Sequence, residues 1–233
     1  NNETSPSSNV TTLQHGFVEP TAPSSSLDVA NYDIAEVSGG NGFYCARSYQ
    51  GLVKCWGYNG YGRLGIGNTY SVGDSSNEMG DNQAFTDLGT NLYATDITTG
   101  DNFACAVLNN TQVKCWGLGQ NGQLGMGTNT YAFGDAANEM GDNLPYVRSP
   151  SSSTPLSGIV KVDAGQRAAC ALSSDGQVYC WGYNDHYLVK ATSSSSSTLY
   201  SPWTQTQLSR PAIDIAVGYY HACAILDNHQ VQC

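Results

Sequence analysis

The sequence predicts an all-β protein built from a repeated, disulfide-bonded β-hairpin. Three observations predict this fold class: four cysteine pairs with one common spacing, a short apolar strand ahead of each pair, and a composition rich in Gly and Tyr. Charged residues make up only 12% of the 233 residues, and Gly accounts for 26 of them. The chain has no extended helical apolar periodicity, so strands and turns best explain this composition.

The cysteine pairs are the strongest signal. In each pair the two cysteines are ten residues apart, with a turn signal such as Asp175-Gly176 midway. Folding a copy about its midpoint places the pair on facing strands, where Cβ atoms lie about 4.5–5.5 Å apart and a small adjustment allows a disulfide. Structural zinc prefers cysteines about two to four residues apart, so it does not fit. The predicted disulfides are Cys45–Cys55, Cys105–Cys115, Cys170–Cys180 and Cys223–Cys233.

Four disulfides predict an oxidising compartment, and hence an extracellular or cell-surface glycoprotein. Three N-x-Ser/Thr sequons agree with this location, at Asn2, Asn9 and Asn109. Asn109 falls in a predicted hairpin turn, where a glycan would point into solvent. A chain rich in Asn and Thr also acquires sequons by chance, so they support the prediction without carrying it.

A longer repeat surrounds each hairpin. A glycine stands five residues before each first cysteine, Trp-Gly follows the second cysteine in three copies, and a Gly-x-Leu-Gly turn follows in two, as "GRLG" and "GQLG". This pattern, over residues 31–233, resembles the regulator-of-chromosome-condensation (RCC1-like) repeat family. The resemblance implies a β-propeller in which each repeat forms a four-stranded blade, usually with seven blades. Both hairpin faces are apolar, so we expect the tryptophans to lie in the core between blades: Trp56, Trp116 and Trp181.

The predicted hairpins lie near residues 43–57, 103–117, 168–182 and 221–233. Four hairpins predict either part of a seven-bladed propeller or an open arc with two free sheet edges. We expect the chain to be a segment of a longer protein, or the arc to be completed by another copy or another chain. Residues 1–30 are rich in Ser, Thr and Pro, which is typical of an extended linker.

A ten-residue motif occurs twice, as "GDSSNEMGDN" at residues 73–82 and "GDAANEMGDN" at residues 134–143, named loop A and loop B below. Carboxylate oxygens are the ligands that Ca²⁺ prefers, so a structural calcium ion is one interpretation. No known calcium-loop spacing fits, and an ordered insertion with capped turns is the favoured interpretation. The candidate calcium ligands are Asp74, Glu78, Asp81, Asp135, Glu139 and Asp142.

Charge and hydropathy exclude several functions. The net charge is −10 with nine Lys and Arg, which disfavours nucleic-acid binding. No run of about 18 apolar residues is present, so no membrane span is predicted. The family's best-known activity, nucleotide exchange on a nuclear GTPase, is not expected of a disulfide-bonded chain. No spacing indicates a catalytic triad, so we predict no catalytic residue, no enzyme activity and no cofactor other than the calcium considered above.

The sequence therefore favours a secreted, non-enzymatic propeller that serves as a structural or adhesive module in a cell-surface assembly, with filaments as one form. The alternative is a recognition module that binds a glycan or a protein through its loop face. Tyrosine-rich loops such as "YNGYGR" suit either ligand, because Tyr combines apolar area with a polar hydroxyl. The expected partners are proteins or further copies of the chain, with glycans as the alternative.

Overall fold

The computed structural model of the chain describes residues 33–150, 152–184, 198–204 and 208–233. Within these ranges the regular structure consists of strands and three single turns of 3-10 helix, so the all-β prediction is confirmed. None of these helical turns is long or apolar enough to cross a membrane. The predicted linker 1–30 and the sequons Asn2 and Asn9 lie outside the described residues.

Within the described ranges the strands form four antiparallel sheets, which we call blades 1 to 4 in chain order. Blade 1 has three strands and blade 2 has four: β1 (Ile34–Gly39), β2 (Phe43–Ser48), β3 (Val53–Gly57), then β4 (Ala94–Thr99), β5 (Phe103–Leu108), β6 (Val113–Leu118) and β7 (Ala132–Phe133). Blade 3 has four strands and blade 4 has three: β8 (Ile159–Ala164), β9 (Ala168–Ser173), β10 (Val178–Tyr183), β11 (Thr198–Thr204), then β12 (Ala212–Val217), β13 (Ala222–Leu226) and β14 (Val231–Gln232).

Each blade is a meander whose first strand is the inner one. The inner strands β1, β4, β8 and β12 contact one another in that order, so the blades follow each other in an open arc. Every inner strand has a β-bulge near its second residue, which bends the strand and increases its twist. One apolar core runs through blades 1 to 3, and a second joins blades 3 and 4.

All four predicted disulfides are present, each within one hairpin. In blades 1 to 3 the bonded cysteines are directly opposed residues of the two hairpin strands. The Cα atoms of Cys45 and Cys55 are 4.0 Å apart, which is the short separation expected of an opposed cross-strand pair. The described residues contain no free cysteine.

Polar side chains connect the inner strands of successive blades. A carboxylate oxygen from one inner strand accepts a hydrogen bond from a backbone N–H of the next, which satisfies a donor at the edge of that strand. The three bonds are Ile97 N to Glu36 Oε2 at 3.2 Å, Val162 N to Asp96 Oδ2 at 2.7 Å and Val217 N to Asp163 Oδ2 at 2.7 Å.

Indole rings hold the outer parts of the blades together. Trp116 donates from Nε1 to the backbone carbonyl oxygen of Arg63 at 3.1 Å. Trp181 donates from Nε1 to the backbone carbonyl oxygen of Gln123 at 2.8 Å. Each acceptor lies in the Gly-x-Leu-Gly turn of the preceding blade, and both tryptophans are fully buried. Trp56, also predicted to be core, is only half-buried and stacks on Tyr44 with ring centroids 6.0 Å apart.

Candidate protein-interaction face

The turns at one end of the blades carry exposed tyrosines. The turn between the first and second strands of each blade lies at this end, and so does the segment that follows the third strand. In blade 1, the pairing of Gly39 with Tyr44 and of Phe43 with Gly57 places both there. We call this end the tyrosine face. It is defined by five exposed rings: Tyr58, Tyr61, Tyr131, Tyr219 and Tyr220.

A buried arginine supports the tyrosines of blade 1. Arg63 donates from Nε to Gly60 O at 2.9 Å and from Nη1 to Asn41 O at 2.8 Å. Its guanidinium carbon lies 4.7 Å from the ring centroid of Tyr58 and 5.9 Å from that of Tyr61. Burial lowers the pKa of Arg63, while the nearby Tyr58 and Tyr61 raise it. The guanidinium therefore fixes the turn and provides a cation–π support for both rings.

Tyr61 is held in an unusual backbone conformation. Its φ is 68°, in the left-handed region that costs a non-glycine residue about 1–2 kcal/mol. Asn121, the equivalent residue of blade 2, does not adopt a positive φ. The ring of Tyr61 meets that of Tyr131 edge-on, with centroids 5.8 Å apart and planes at 75°. The strained turn thus presents an exposed aromatic pair across the seam between blades 1 and 2.

Loops A and B fold around their own glutamates. Glu78 Oε2 accepts hydrogen bonds from three successive backbone N–H groups, those of Gly73, Asp74 and Ser75, at 2.9–3.1 Å. Bonds from Ser75 and Gly73 lower the pKa of Glu78. Loop B repeats the arrangement with Glu139 as the acceptor for Gly134, Asp135 and Ala136.

The other candidate calcium ligands have different surroundings. Burial, together with a hydrogen bond to Glu139, raises the pKa of Asp135. Asp142 accepts from Thr90 N at 2.8 Å and Thr90 Oγ1 at 2.6 Å, and Asp81 lies in the 3-10 turn Gly80–Asn82. In the described ranges no three His, Cys, Asp or Glu residues form a group that could hold a metal ion. Calcium binding stays a prediction that the chelator experiment below tests.

A lysine side chain binds each loop, a role that the sequence analysis does not predict. Lys54 Nζ donates to Gly80 O and lies 4.5 Å from the ring centroid of Phe85. Lys114 Nζ, which is buried, donates to Gly141 O at 2.8 Å and Leu88 O at 2.9 Å. The sequence contains a signal for this: "VKCWG" precedes both loops, whereas the third copy reads "VYCWG" and the ten-residue motif does not follow it in the sequence.

A cleft of about 500 Å³ lies between loop B and blade 1. Its lining combines apolar side chains, such as Ile66 and Met140, with the carboxylates of Asp87 and Asp142. Both carboxylates already accept hydrogen bonds, Asp87 from Gly89 N at 2.9 Å and Asp142 from Thr90. The cleft is therefore best explained as part of the contact between loop B and the preceding blade.

The sequon at Asn109 lies in an exposed hairpin turn, as its sequence position suggests. Its Oδ1 accepts from Tyr93 N at 3.3 Å, and its Nδ2 donates to Asn91 O at 3.3 Å. Thr111, the third residue of the sequon, has a φ of 62° and accepts from Gly158 N at 3.0 Å. Glycosylation at Asn109 stays a prediction.

Known proteins are similar in sequence to this chain. The human E3 ubiquitin-protein ligase HERC2 is 26% identical over 207 residues, covering 87% of this chain and 4% of HERC2. The Arabidopsis thaliana ultraviolet-B receptor UVR8 is 30% identical over 179 residues, covering 73% of this chain and 34% of UVR8. The chain therefore spans only a minor part of either relative.

Solved structures show the same fold. Human WBSCR16 superimposes with a TM-score of 0.63 at 17% identity, covering 85% of this chain and 46% of that one. Yeast RCC1 (Prp20), solved with Kap60, gives a TM-score of 0.59 at 17% identity. The match covers 88% of this chain and 44% of the yeast protein's chain. The family model for the regulator of chromosome condensation (RCC1) repeat matches residues 34–63, 94–123 and 159–187, one match for each of the first three repeats. The chain therefore belongs to the family of β-propeller proteins built from RCC1 repeats.

Proposed function

We propose that the chain is an extracellular, non-catalytic protein-interaction module that binds a protein partner through its tyrosine face. The observation that carries this proposal is the conformation of Tyr61. A left-handed tyrosine destabilises its own turn, and its side chain contacts Tyr131 edge-on, shares a hydrogen bond with it and lies 5.9 Å from the Arg63 guanidinium, which leaves part of the ring exposed. A partner that packs on the ring would account for keeping a tyrosine where glycine would be less strained.

The chemistry of the face suits a protein ligand. Tyrosine supplies rigid apolar area at low side-chain entropy cost, and its hydroxyl exchanges hydrogen bonds at a wet interface. Arg63 holds the ring of Tyr58 in place before binding, which reduces the entropy lost on association. Relatives support a protein partner as well. Yeast RCC1 is seen bound to Kap60, and the structure of Prp20p is described together with its binding to Gsp1p and histones.

We base the extracellular location on the four disulfides, because disulfides form and persist mainly in oxidising compartments. The sequons and the Ser/Thr/Pro-rich residues 1–30 agree with that location. An extracellular tyrosine face would serve an adhesive or structural role in a cell-surface assembly. This role needs neither a nucleic acid nor a catalytic residue.

The experiment is comparative capture from the extracellular fraction of the source. The wild-type chain is compared with the double variant Tyr61→Gly, Tyr131→Ala, and with a control, Tyr49→Ala. Tyr49 is about as exposed as Tyr131 but lies in the β2–β3 turn, at the opposite end of blade 1. We expect a protein partner that the wild type and the control capture equally and that the double variant loses.

Two results would contradict the proposal. Equal capture by all three proteins would place the contact outside the tyrosine face. Saturable binding on a glycan array that the double variant loses would assign the face to a glycan instead. Intact disulfides in each variant, read by mass spectrometry without reduction, would show that the loss is not due to misfolding.

A further inference from the structure

Tyr61 and Tyr131 form a close phenol pair across the seam between blades 1 and 2. Their ring centroids are 5.8 Å apart, and the two side chains share a hydrogen bond. The hydroxyl is the only polar group of a tyrosine side chain, so this bond joins the two hydroxyl oxygens. The Cε carbons on either side of each hydroxyl therefore lie close to those of the other ring.

Backbone packing between the two blades holds this pair together. The 3-10 turn Gly60–Gly62, which contains Tyr61, contacts strand β7, which directly follows Tyr131. The contact is tight, because a Cβ added at Gly62 would lie only 2.2 Å from the backbone nitrogen of Asp135. The left-handed φ of Tyr61 belongs to the same turn. The fold itself thus sets the distance between the two phenols.

Both phenols are open to an oxidant in solvent. Tyr61 is 37% exposed and Tyr131 is 61% exposed. Free thiols are readily oxidised side chains, but all eight cysteines of this chain form disulfides. An oxidant therefore reaches the phenol pair without a free thiol of the chain to consume it first.

We propose that Tyr61 and Tyr131 are a site of oxidative cross-linking, at which a dityrosine bond joins blades 1 and 2 covalently. The oxidant is hydrogen peroxide, used by a haem peroxidase. Each phenol gives up one electron and one proton. The two unpaired electrons then form a bond between one Cε carbon of each ring, and the hydrogen on each bonded carbon moves to its own phenol oxygen. One hydrogen peroxide takes up the two electrons and two protons and becomes two water molecules.

The bond supplies a connection that the disulfides do not. Each of the four disulfides lies within one hairpin, so none of them joins two blades. A bond between Tyr61 and Tyr131 closes a loop that contains loop A and the strands β4, β5 and β6. Closing a long loop restricts the unfolded chain, as a disulfide does, and therefore stabilises the seam between the blades.

This cross-link goes beyond the protein-interaction function and needs no partner. Only the supply of peroxide depends on the extracellular location proposed above. The geometry of the pair, and the reaction of the purified chain, do not depend on it.

Treatment of the purified chain with a haem peroxidase and hydrogen peroxide tests the site. After reduction of the disulfides, trypsin releases Tyr61 in residues 55–63 and Tyr131 in residues 115–148. We expect these two peptides to be joined, with a mass two hydrogen atoms below their sum and fragment ions that place the bond at Tyr61 and Tyr131. Because the coupling is intramolecular, its yield should not change when the protein is diluted about tenfold.

Three variants provide the controls. Tyr61→Phe and Tyr131→Phe keep the ring and remove the hydroxyl, and each should lower the yield about tenfold or more. Tyr70→Phe is the matched control, because Tyr70 and Tyr131 both stand three residues before the first glycine of their loop. Tyr70 is 78% exposed, so its loss would matter if exposure alone determined the reaction. Four intact disulfides in each variant, read without reduction, show that it is folded.

The outcomes that overturn the proposal are distinct. A product that consists only of cross-linked dimers, in a yield that falls on dilution, would show that the pair does not couple within one chain. An unchanged yield in both Tyr61→Phe and Tyr131→Phe would place the bond elsewhere.

The melting temperature tests the connection between the blades. We expect the cross-linked wild type to melt about 5 °C higher than the untreated protein, and treated Tyr131→Phe to show no such rise. A cross-linked protein that melts at the untreated temperature would overturn the stabilising role.

The protein isolated from its source shows whether the reaction occurs there. We expect the same two peptides to be joined in that protein without added peroxidase. Their complete separation would overturn the cross-link as a natural modification. It would leave the protein-interaction function standing, because the capture experiment tests that function independently.

Discussion

The backbone of Gly100 lies against the carbonyl oxygen of Gly165 in the next blade, so that a Cβ added at Gly100 would be only 2.5 Å from that oxygen. The same Cβ would be 2.1 Å from the ring of Phe103. Gly100→Ala should therefore force two packed groups apart and lower the free energy of unfolding by about 2–3 kcal/mol, measured by urea denaturation.

Gly218→Ala is the matched control at the same repeat position. The three atoms nearest to a Cβ there all belong to the ring of His221, at 2.9–3.4 Å, and a side chain moves more easily than a backbone carbonyl. We expect this substitution to cost less than about 1 kcal/mol. Equal costs at Gly100 and Gly218 would show that the glycine is not required by contact between blades.

Asp96 should make stability depend on pH. Burial is the largest cause that raises the pKa of Asp96 to about 7, and the nearby Glu36 carboxylate adds to it. An aspartate in the unfolded chain titrates near about 3.9, so the folded state binds the proton more tightly between these values. Protonated Asp96 therefore contributes to the free energy of unfolding. This stabilisation is fully present below the pKa that Asp96 has in the unfolded chain, and it is lost as the pH rises through about 7.

Asp96→Asn keeps an acceptor for Val162 N but removes this titration. The melting temperature of the wild type minus that of the variant should fall between pH 5 and pH 8, values that bracket the raised pKa of about 7. Asp175→Asn is the control, because the bond from Ser173 lowers the pKa of Asp175 and places its effect at more acidic pH. A difference that is constant with pH would contradict the assignment to Asp96.

Lys114 and Lys54 should differ in their contribution to stability. Lys114→Met leaves the buried carbonyls of Leu88 and Gly141 without their donor, and should cost about 2–3 kcal/mol. Lys54→Met removes a solvent-exposed bond to Gly80 O and the contact with the Phe85 ring; since water can replace the donor, it should cost about 0.5 kcal/mol. Urea denaturation of both variants checks the difference, and a larger loss for Lys54 would contradict it.

The chelator experiment concerns loops A and B. Because Glu139 Oε2 already accepts three backbone N–H bonds, we expect the same melting temperature in EDTA and in millimolar calcium. Glu139→Ala should lower the free energy of unfolding by about 1–2 kcal/mol under both conditions, since three donors lose their acceptor. A melting temperature that rises with calcium would instead support the calcium interpretation.

Repetition made much of the fold predictable. The spacing of Cys45 and Cys55, the turn at their midpoint and the Trp-Gly that follows define a hairpin from local residues alone. Since the cysteine spacing recurs four times and the Trp-Gly three times, a chance match in one copy could not mislead the assignment. The glycines that follow the inner strands can also be recognised in the sequence, although only the structure shows that Gly100 faces the carbonyl of Gly165.

The interaction face could not be predicted in the same way. "YNGYGRLG" shows two tyrosines and an arginine, but not that Tyr61 has a positive φ or that Arg63 lies buried under the rings. These properties depend on contacts between blades, which sequence spacing does not specify. The carboxylates of loops A and B suggested metal ligands, which stays a prediction; that Glu78 and Glu139 accept backbone N–H groups could not be read from composition alone.

Tyr61→Gly tests the central claim most directly, because it separates stability from binding. It removes a left-handed non-glycine residue, so the free energy of unfolding should stay the same or rise by up to about 1 kcal/mol. It also removes the ring, so the affinity for the captured protein partner, measured by titration calorimetry, should fall about tenfold or more. Unchanged affinity in a folded Tyr61→Gly protein would contradict the assignment of the tyrosine face as the binding site.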